Sequence, residues 1–182
     1  MAIYQNPTVT DSKLETGNFA VYVHASAGAT AGASDWTNLG AGMVKSFAYV
    51  AESYTSQAGN AVDPISGVSK ESVSIDLDLI EYDGSAFSIL SGGVLAGSTA
   101  TLTVGGQVSV QTPRSIKLIN TRELANGSSQ TTTYVLVNCF MDGGYTLAVK
   151  SDNDSDPINV YTFKLLCKQY ATAQTIFTKT VA

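Results

Sequence analysis

The stretch Glu71-Ser72-Val73-Ser74-Ile75-Asp76-Leu77-Asp78-Leu79 decides the fold class, because apolar and polar side chains alternate along it without interruption. A period of two is the pattern of a β-strand that has one buried face and one outward face. The outward face carries two carboxylates, Asp76 and Asp78. The apolar face is predicted to be core, and its residues are Val73, Ile75, Leu77 and Leu79.

A short helix is predicted directly after this strand, over residues 85–91. Asp83 or Ser85 is suited to cap its N-terminus, because short polar side chains accept hydrogen bonds from the first free backbone N–H groups. Phe87 and Leu90 fall on one face of the helix. We expect both to pack against the apolar face of the preceding strand.

Further strands are predicted where alternating segments lie between turn signals. They cover residues 18–24, about 43–54, 100–104, 107–110, 115–124, 131–140, 145–150 and 158–170. About eight strands and one short helix indicate an all-β (mainly β) sandwich or barrel. The length fits a single domain over residues 1–182, with an N-terminal arm at 1–17 and a C-terminal tail at 171–182.

A long segment, residues 53–67, lacks the periodicity of either a helix or a strand. Long loops without secondary structure are uncommon in compact domains and are usually functional. The segment is therefore predicted to be a contact loop. Its candidate contact residues are Ser56, Gly59, Asn60, Asp63 and Pro64.

The composition is poor in charge, since only 14% of residues are charged and the net charge is −5. A soluble domain usually has about a quarter of its residues charged. This indicates either a surface largely covered by other molecules or a neutral polar surface rich in Ser, Thr and Gly. The acidic balance argues against binding along a nucleic-acid backbone.

The chain is expected to be cytosolic, because no signal sequence precedes the first strand and no apolar run is long enough for a membrane span. Two cysteines, Cys139 and Cys167, lie in predicted strands. A bond between them would require neighbouring strands. Because thiols stay reduced in a cytosol, we expect two free, buried thiols.

The sequence contains few residues suited to catalysis or metal binding. His24 is the only histidine, which excludes metal sites built on two histidines and leaves one candidate general base. An acidic run at 152–156 resembles half of a calcium loop but lacks the required glycine and glutamate. Asp76 and Asp78 could act as a carboxylate pair on a sugar, but no aromatic platform lies near them. We expect no catalytic residue, no metal site, no cofactor and no enzymatic activity.

The layout resembles the tail tube proteins of long-tailed bacteriophages. The resemblance is strongest over residues 36–93, which contain Trp36-Thr37-Asn38-Leu39-Gly40, a strand, the long loop, the alternating strand and a helix ending in Leu90-Ser91-Gly92-Gly93. The section from Val137-Asn138-Cys139 to Phe163 is also similar to the closing strands of that family. Contractile-tail and type VI secretion tubes are close relatives of the same architecture.

The resemblance implies a virion structural protein that assembles in the host bacterial cytoplasm into six-fold rings stacked as a hollow tube. It implies contacts with further copies of the chain, a tape-measure protein and tail-end proteins, while DNA passes through the lumen without specific binding and no membrane is involved. It places Asp76 and Asp78 in the lumen and the 53–67 loop against an adjacent ring. The alternative function is another virion structural β protein, such as a capsid decoration or fibre subunit.

Overall fold

The structure, a computed structural model, describes residues 18–56, 65–80, 83–91, 96–97, 102–103, 111–124, 126–149, 159–169 and 175–182. Their elements are β1 (Asn18–His24), β2 (Thr37–Ser56), β3 (Ile65–Leu79), α1 (Gly84–Leu90), β4 (Ala96–Gly97), β5 (Leu102–Thr103), β6 (Arg114–Glu123), β7 (Ser129–Ala148), β8 (Val160–Lys168) and β9 (Phe177–Val181).

The large sheet closes on itself. Its seven strands run in the order β6-β1-β2-β3-β8-β7-β9, and β6 also pairs with β7. All of these pairings are antiparallel. The strands other than β9 therefore form a closed barrel, and β9 adds to the outer edge of β7. The predicted all-β fold with one short helix is confirmed, and closure removes most of the sheet edges that would otherwise be exposed.

The barrel interior is filled by the apolar faces of the strands. Val73, Ile75, Leu77 and Leu79 all lie in this core, together with Phe87 and Leu90 from the helix. The ring of Phe87 meets those of Phe163 and Tyr145 edge to face, with centroids 5.5 and 5.4 Å apart. Residues that the alternation and the helix pattern selected thus share one hydrophobic cluster.

Helix α1 begins at its predicted cap. The Asp83 carboxylate accepts hydrogen bonds from the backbone N–H groups of Ser85 and Ala86, at 2.7 and 3.1 Å, and from the Ser85 hydroxyl. These donors lower the pKa of Asp83 because they stabilise its charged form. At the other end, Arg114 Nε donates to the carbonyl of Ile89 at 2.9 Å, which ties the helix to β6.

Three sequence predictions about element bounds are wrong. Residues 55–56 and 65–67 are strand rather than loop and continue β2 and β3, because a hairpin exposed on both faces needs no apolar alternation. Predicted strands 131–140 and 145–150 form one 20-residue strand. Its Gly143 and Gly144 lie within a register shift between Met141 and Tyr145. The predicted tail at 171–182 contains β9, which pairs with β7.

Other sequence predictions fall on parts of the chain outside the described residues. These are the N-terminal arm at 1–17, loop residues 57–64, the acidic run at 152–156 and the predicted strand at 107–110. Within the predicted 100–104 strand, Leu102–Thr103 pair with Ala96–Gly97.

The prediction of two free thiols is also wrong. Cys139 and Cys167 form a disulfide, with their Cα atoms 3.9 Å apart. The two residues are directly opposed on β7 and β8, and both are fully buried. Sequence alone could not show that β7 and β8 are neighbours. The expectation of free thiols depended only on the reducing conditions of a cytosol, which say nothing about strand order.

Candidate assembly surface

The hairpin of β2 and β3 extends beyond the barrel. The ladder between β1 and β2 ends at the pair Asn18 and Met43, and the ladder between β3 and β8 ends at Ser72 and Lys168. Beyond these points, β2 and β3 pair only with each other in the part of the chain described here, as far as Ser56 and Ile65. We call residues 44–56 and 65–71 the β2–β3 arm.

The arm exposes large apolar side chains. Tyr49, Val50 and Val68 are 56%, 51% and 55% exposed, and Phe47 and Tyr54 are also exposed. A cluster of exposed apolar side chains on a projecting hairpin is typical of an interaction surface rather than of a solvated one. The arm also carries charged side chains, among which Lys70 Nζ and Glu52 form a surface ion pair at 3.4 Å.

One face of the arm continues the core-facing side of the barrel. Phe47 is paired with Ile75 and Tyr49 with Val73, and directly opposed residues of an antiparallel pair share a face. Ile75 and Val73 are buried, whereas Phe47 and Tyr49 are exposed. On this face, β2 therefore continues to carry apolar side chains beyond the part of the strand that the rest of the chain buries.

An open groove of about 520 Å³ lies beside this face. The arm supplies one wall, and the end of β8 and the start of β9 supply the other. Phe47 spans the two walls, since its ring centroid is 4.8 Å from that of Phe177. The lining residues are Phe47, Tyr49, Glu71, Val73, Gln169, Thr175, Ile176 and Phe177.

A hydrogen-bonded polar pair lines one side of the groove. Tyr49 donates its hydroxyl proton to the Glu71 carboxylate at 2.6 Å. The acceptor carboxylate raises the pKa of Tyr49, because it favours the protonated phenol and repels a phenolate. The pair gives the groove a fixed polar feature by which an occupant could be oriented.

Asp78 lies on the outward face of β3, as the alternation predicted, but it is only 7% exposed. Its carboxylate lies 2.7 Å from Lys45 Nζ and accepts a hydrogen bond from the Thr162 hydroxyl at 2.6 Å. Lys45 reaches Asp78 from a register shift in β2 between Val44 and Ser46. Asp78 is therefore a paired carboxylate on the outward face of β3.

Asp76 is half-buried on the same face and accepts a hydrogen bond from the Ser46 hydroxyl. Its partner across the β3–β8 ladder is Lys164, whose Nζ lies 3.3 Å from the Asp142 carboxylate. The linear sequence around Asp76 contains no nearby cation after Lys70, but neighbouring strands supply Lys45 and Lys164. The face is thus a ladder of alternating charges rather than a purely acidic surface.

The predicted contact loop is described only at its edges. Ser56 is the last residue of β2, whereas Gly59, Asn60, Asp63 and Pro64 lie outside the described residues. The sequence prediction missed the neighbouring arm residues Phe47, Tyr49 and Val68, because an apolar side chain in a strand carries no mark that distinguishes the core from an interface. A partial signal was available, because large apolar side chains continue to alternate along β2 as far as the predicted loop.

Both ring nitrogens of His24 form hydrogen bonds within the chain. Ser26 N–H donates to Nδ1 at 2.9 Å, so Nε2 carries the proton and donates to the carbonyl of Ser34 at 3.0 Å. The ring also meets Trp36 edge to face at 5.2 Å, and Lys117 Nζ lies 4.6 Å from the Trp36 centroid. Burial lowers the pKa of Lys117.

Among the described residues, no cluster of His, Cys, Asp and Glu is arranged to hold a metal ion. No helix in that part of the chain is long and apolar enough to cross a membrane.

Comparison with known proteins gives similarity at the level of solved structures alone. No protein-family model matches the chain, and no curated protein matches it. The chain is similar to the anti-feeding prophage cap, described as a tube-terminating cap, with 12% identity, full coverage of both chains and a TM-score of 0.45. It is also similar to a crystal structure of Hcp protein, with 10% identity, coverage of 90% of this chain and 98% of that one, and a TM-score of 0.36.

Proposed function

We propose that this chain is a non-enzymatic structural subunit that self-assembles into stacked six-fold rings, forming a hollow phage tail tube. The observation that carries the proposal is the β2–β3 arm, which projects from a closed barrel and exposes Tyr49, Val50 and Val68. Such a surface is costly for a monomer in water and favourable once another protein covers it.

The arm supports self-association in particular because it offers both apolar side chains and strand edges. An exposed edge of a β-hairpin is a template for pairing with another chain. In a closed ring, each copy presents the same two surfaces to its neighbours, so the edges are satisfied without a second kind of protein. The low fraction of charged residues, 14%, fits a subunit that is covered largely by its own copies.

The face that carries Asp76 and Asp78 is proposed to line the channel. It lies opposite the barrel core, and Lys45 and Lys164 partly compensate its carboxylates. A DNA duplex moving along this face would meet charges of both signs rather than a basic stripe, so its phosphates would find no surface to bind along. A tape-measure protein, tail-end proteins and assembly in a host bacterial cytoplasm belong to the same proposal.

The proposal is tested by sedimentation velocity of the wild-type chain and of the variant Val50→Glu, Val68→Glu. We expect wild-type assemblies at high concentration, and self-association at least ~100-fold weaker in the variant, because a contact with another copy would bury unpaired carboxylates. Val149→Glu is the matched control, since Val149 is 73% exposed outside the arm.

The control variant should assemble like the wild type and all three chains should unfold at similar temperatures. A wild-type chain that stays monomeric at every concentration would contradict the proposal. Defined trimers or knob-shaped particles would instead favour a capsid decoration or fibre subunit.

A further inference from the structure

The disulfide lies where β7 exchanges one neighbour for another. The pair Cys139 and Cys167 is the last of the ladder between β7 and β8, and the ladder between β7 and β9 begins at Leu136 and Phe177. Both cysteines are fully buried. The covalent bond therefore fixes the end of β8 to β7, next to the point where β9 replaces β8 as the neighbour of β7.

Polar contacts hold the same junction. Asn138, which has a φ of 52°, donates its backbone N–H to the carbonyl of Ala27 at 2.7 Å. Its side-chain amide donates to the carbonyls of Lys168 and Gln169, at 3.1 and 3.3 Å. An asparagine tolerates this left-handed conformation better than most residues, and here it links β7 to the end of β8.

The junction is also a wall of the groove. Gln169, Ile176 and Phe177 line the groove, and Val73 on its floor is the ladder partner of Cys167. Val137 N–H donates to the carbonyl of Ile176 at 3.0 Å, which joins this wall to the strand that carries the disulfide. The position of Ile176 and Phe177 relative to the arm thus depends on contacts within three residues of Cys139.

We propose that the Cys139–Cys167 bond is a redox-controlled staple, which holds the groove wall in place when oxidised and lets it loosen when reduced. The consequence for self-association rests on the proposed function, because it requires the groove to receive another copy of the chain. The effect on the wall itself does not depend on assembly.

Formation of the staple needs an oxidant of the small-molecule disulfide class, such as glutathione disulfide. One cysteine thiolate attacks a glutathione sulfur and releases one glutathione thiolate; the second cysteine thiolate then displaces the other glutathione and forms the Cys139–Cys167 bond. Two electrons pass to the glutathione pair, which takes up the two thiol protons. Because both sulfurs are buried, exchange requires the end of the β7–β8 ladder to open.

The first test is amide hydrogen exchange on the full chain, oxidised with glutathione disulfide or reduced with a phosphine. We expect exchange at residues 175–182 and 136–139 to be roughly tenfold faster or more in the reduced chain, with residues 37–43 unchanged. The reduced chain should also unfold roughly 5 to 15 °C lower, because the bond constrains the unfolded chain across a separation of 28 residues.

The variant Cys139→Ala, Cys167→Ala is the matched control, and it should give the same exchange with and without reductant. Equal exchange at residues 175–182 in the oxidised and reduced wild-type chains would overturn the staple. Because thiols stay reduced in the host cytoplasm where assembly is proposed, the bond would form in tubes that have left the cell. Sedimentation of the same samples should show stronger association for the oxidised form. If neither form associates, the proposed function fails while the exchange result still decides the staple; if both associate equally, control of association is excluded.

Discussion

Gly42 shows how closely two strands of the barrel approach each other at a single residue. A Cβ atom there would collide with the backbone carbonyl oxygen of Asp78 and would lie 2.8 Å from Leu79 Cδ2. A shift of the β3 backbone away from Gly42 would disturb the ion pair between the buried Asp78 and Lys45. A glycine is therefore required by packing at this position.

We predict that Gly42→Ala lowers the free energy of unfolding by roughly 1–3 kcal/mol, the usual cost of overpacking a well-packed site. Gly144→Ala is the matched control, because a Cβ atom there has no other heavy atom within 4 Å. It should change stability by no more than about 0.5 kcal/mol. Urea unfolding of both variants measures the difference, and equal stabilities would contradict the close packing at Gly42.

Single residues also mark where sequence reasoning succeeded and where it could not. Strict alternation was sufficient to place Leu77 and Leu79 in the core, because a period of two has one physical explanation in a half-buried strand. It was insufficient for Asp78, whose environment is set by Lys45 and Thr162 on other strands. Charge pairing across a sheet depends on strand order, which local sequence does not contain.

Helix α1 is an element whose stability depends on its N-cap residue, Asp83. Asp83 accepts two backbone and one hydroxyl hydrogen bond, and these lower the pKa of its carboxyl group. Since the folded pKa lies below the unfolded value, the ionised carboxylate contributes its full stability above about pH 4. That contribution is lost as the pH falls through the lowered pKa.

We predict that Asp83→Ala costs about 1 kcal/mol at pH 7, with the loss shrinking in acid as the wild-type carboxylate becomes protonated. Asp83→Asn separates capping from charge, because asparagine is also a good N-cap residue. It should keep most of the stability at pH 7 and show a weaker acid dependence than the wild type. Thermal unfolding between pH 3 and 7 measures this, and an unchanged acid profile in both variants would refute it.

The elements themselves differ from their sequence predictions for physical reasons. The sequence predicted two strands, 131–140 and 145–150, yet β7 runs on through Gly143 and Gly144, because a register shift absorbs the irregularity and β8 continues to pair on both sides. The tips of β2 and β3 have exposed side chains on both faces, so no alternation marked residues 55–56 and 65–67 as strand. Strand β9 was missed because it is short and largely exposed.

For the whole molecule, the sequence indicated the fold class but not the closure. Closure depends on β6 pairing with both β1 and β7, which brings Ile116 opposite Val23 on one side and Leu136 on the other. The first of these contacts joins distant parts of the chain, and no local pattern encodes it. The Cys139–Cys167 bond was missed for the same reason.

At the scale of the whole molecule, we propose that the β2–β3 arm is the part of the subunit that other copies cover. The barrel, helix and disulfide form a fixed body, and the arm and groove are the surfaces that this body leaves open. A surface covered by other copies would account for the low fraction of charged residues, 14%.

The most direct test is electron cryo-microscopy of the purified wild-type chain at high concentration. We predict hollow particles built from six-fold rings, in which Val50 and Val68 lie against another copy and Asp76 faces the channel. Particles without six-fold rings, or rings in which the β2–β3 arm stays exposed to solvent, would contradict the account.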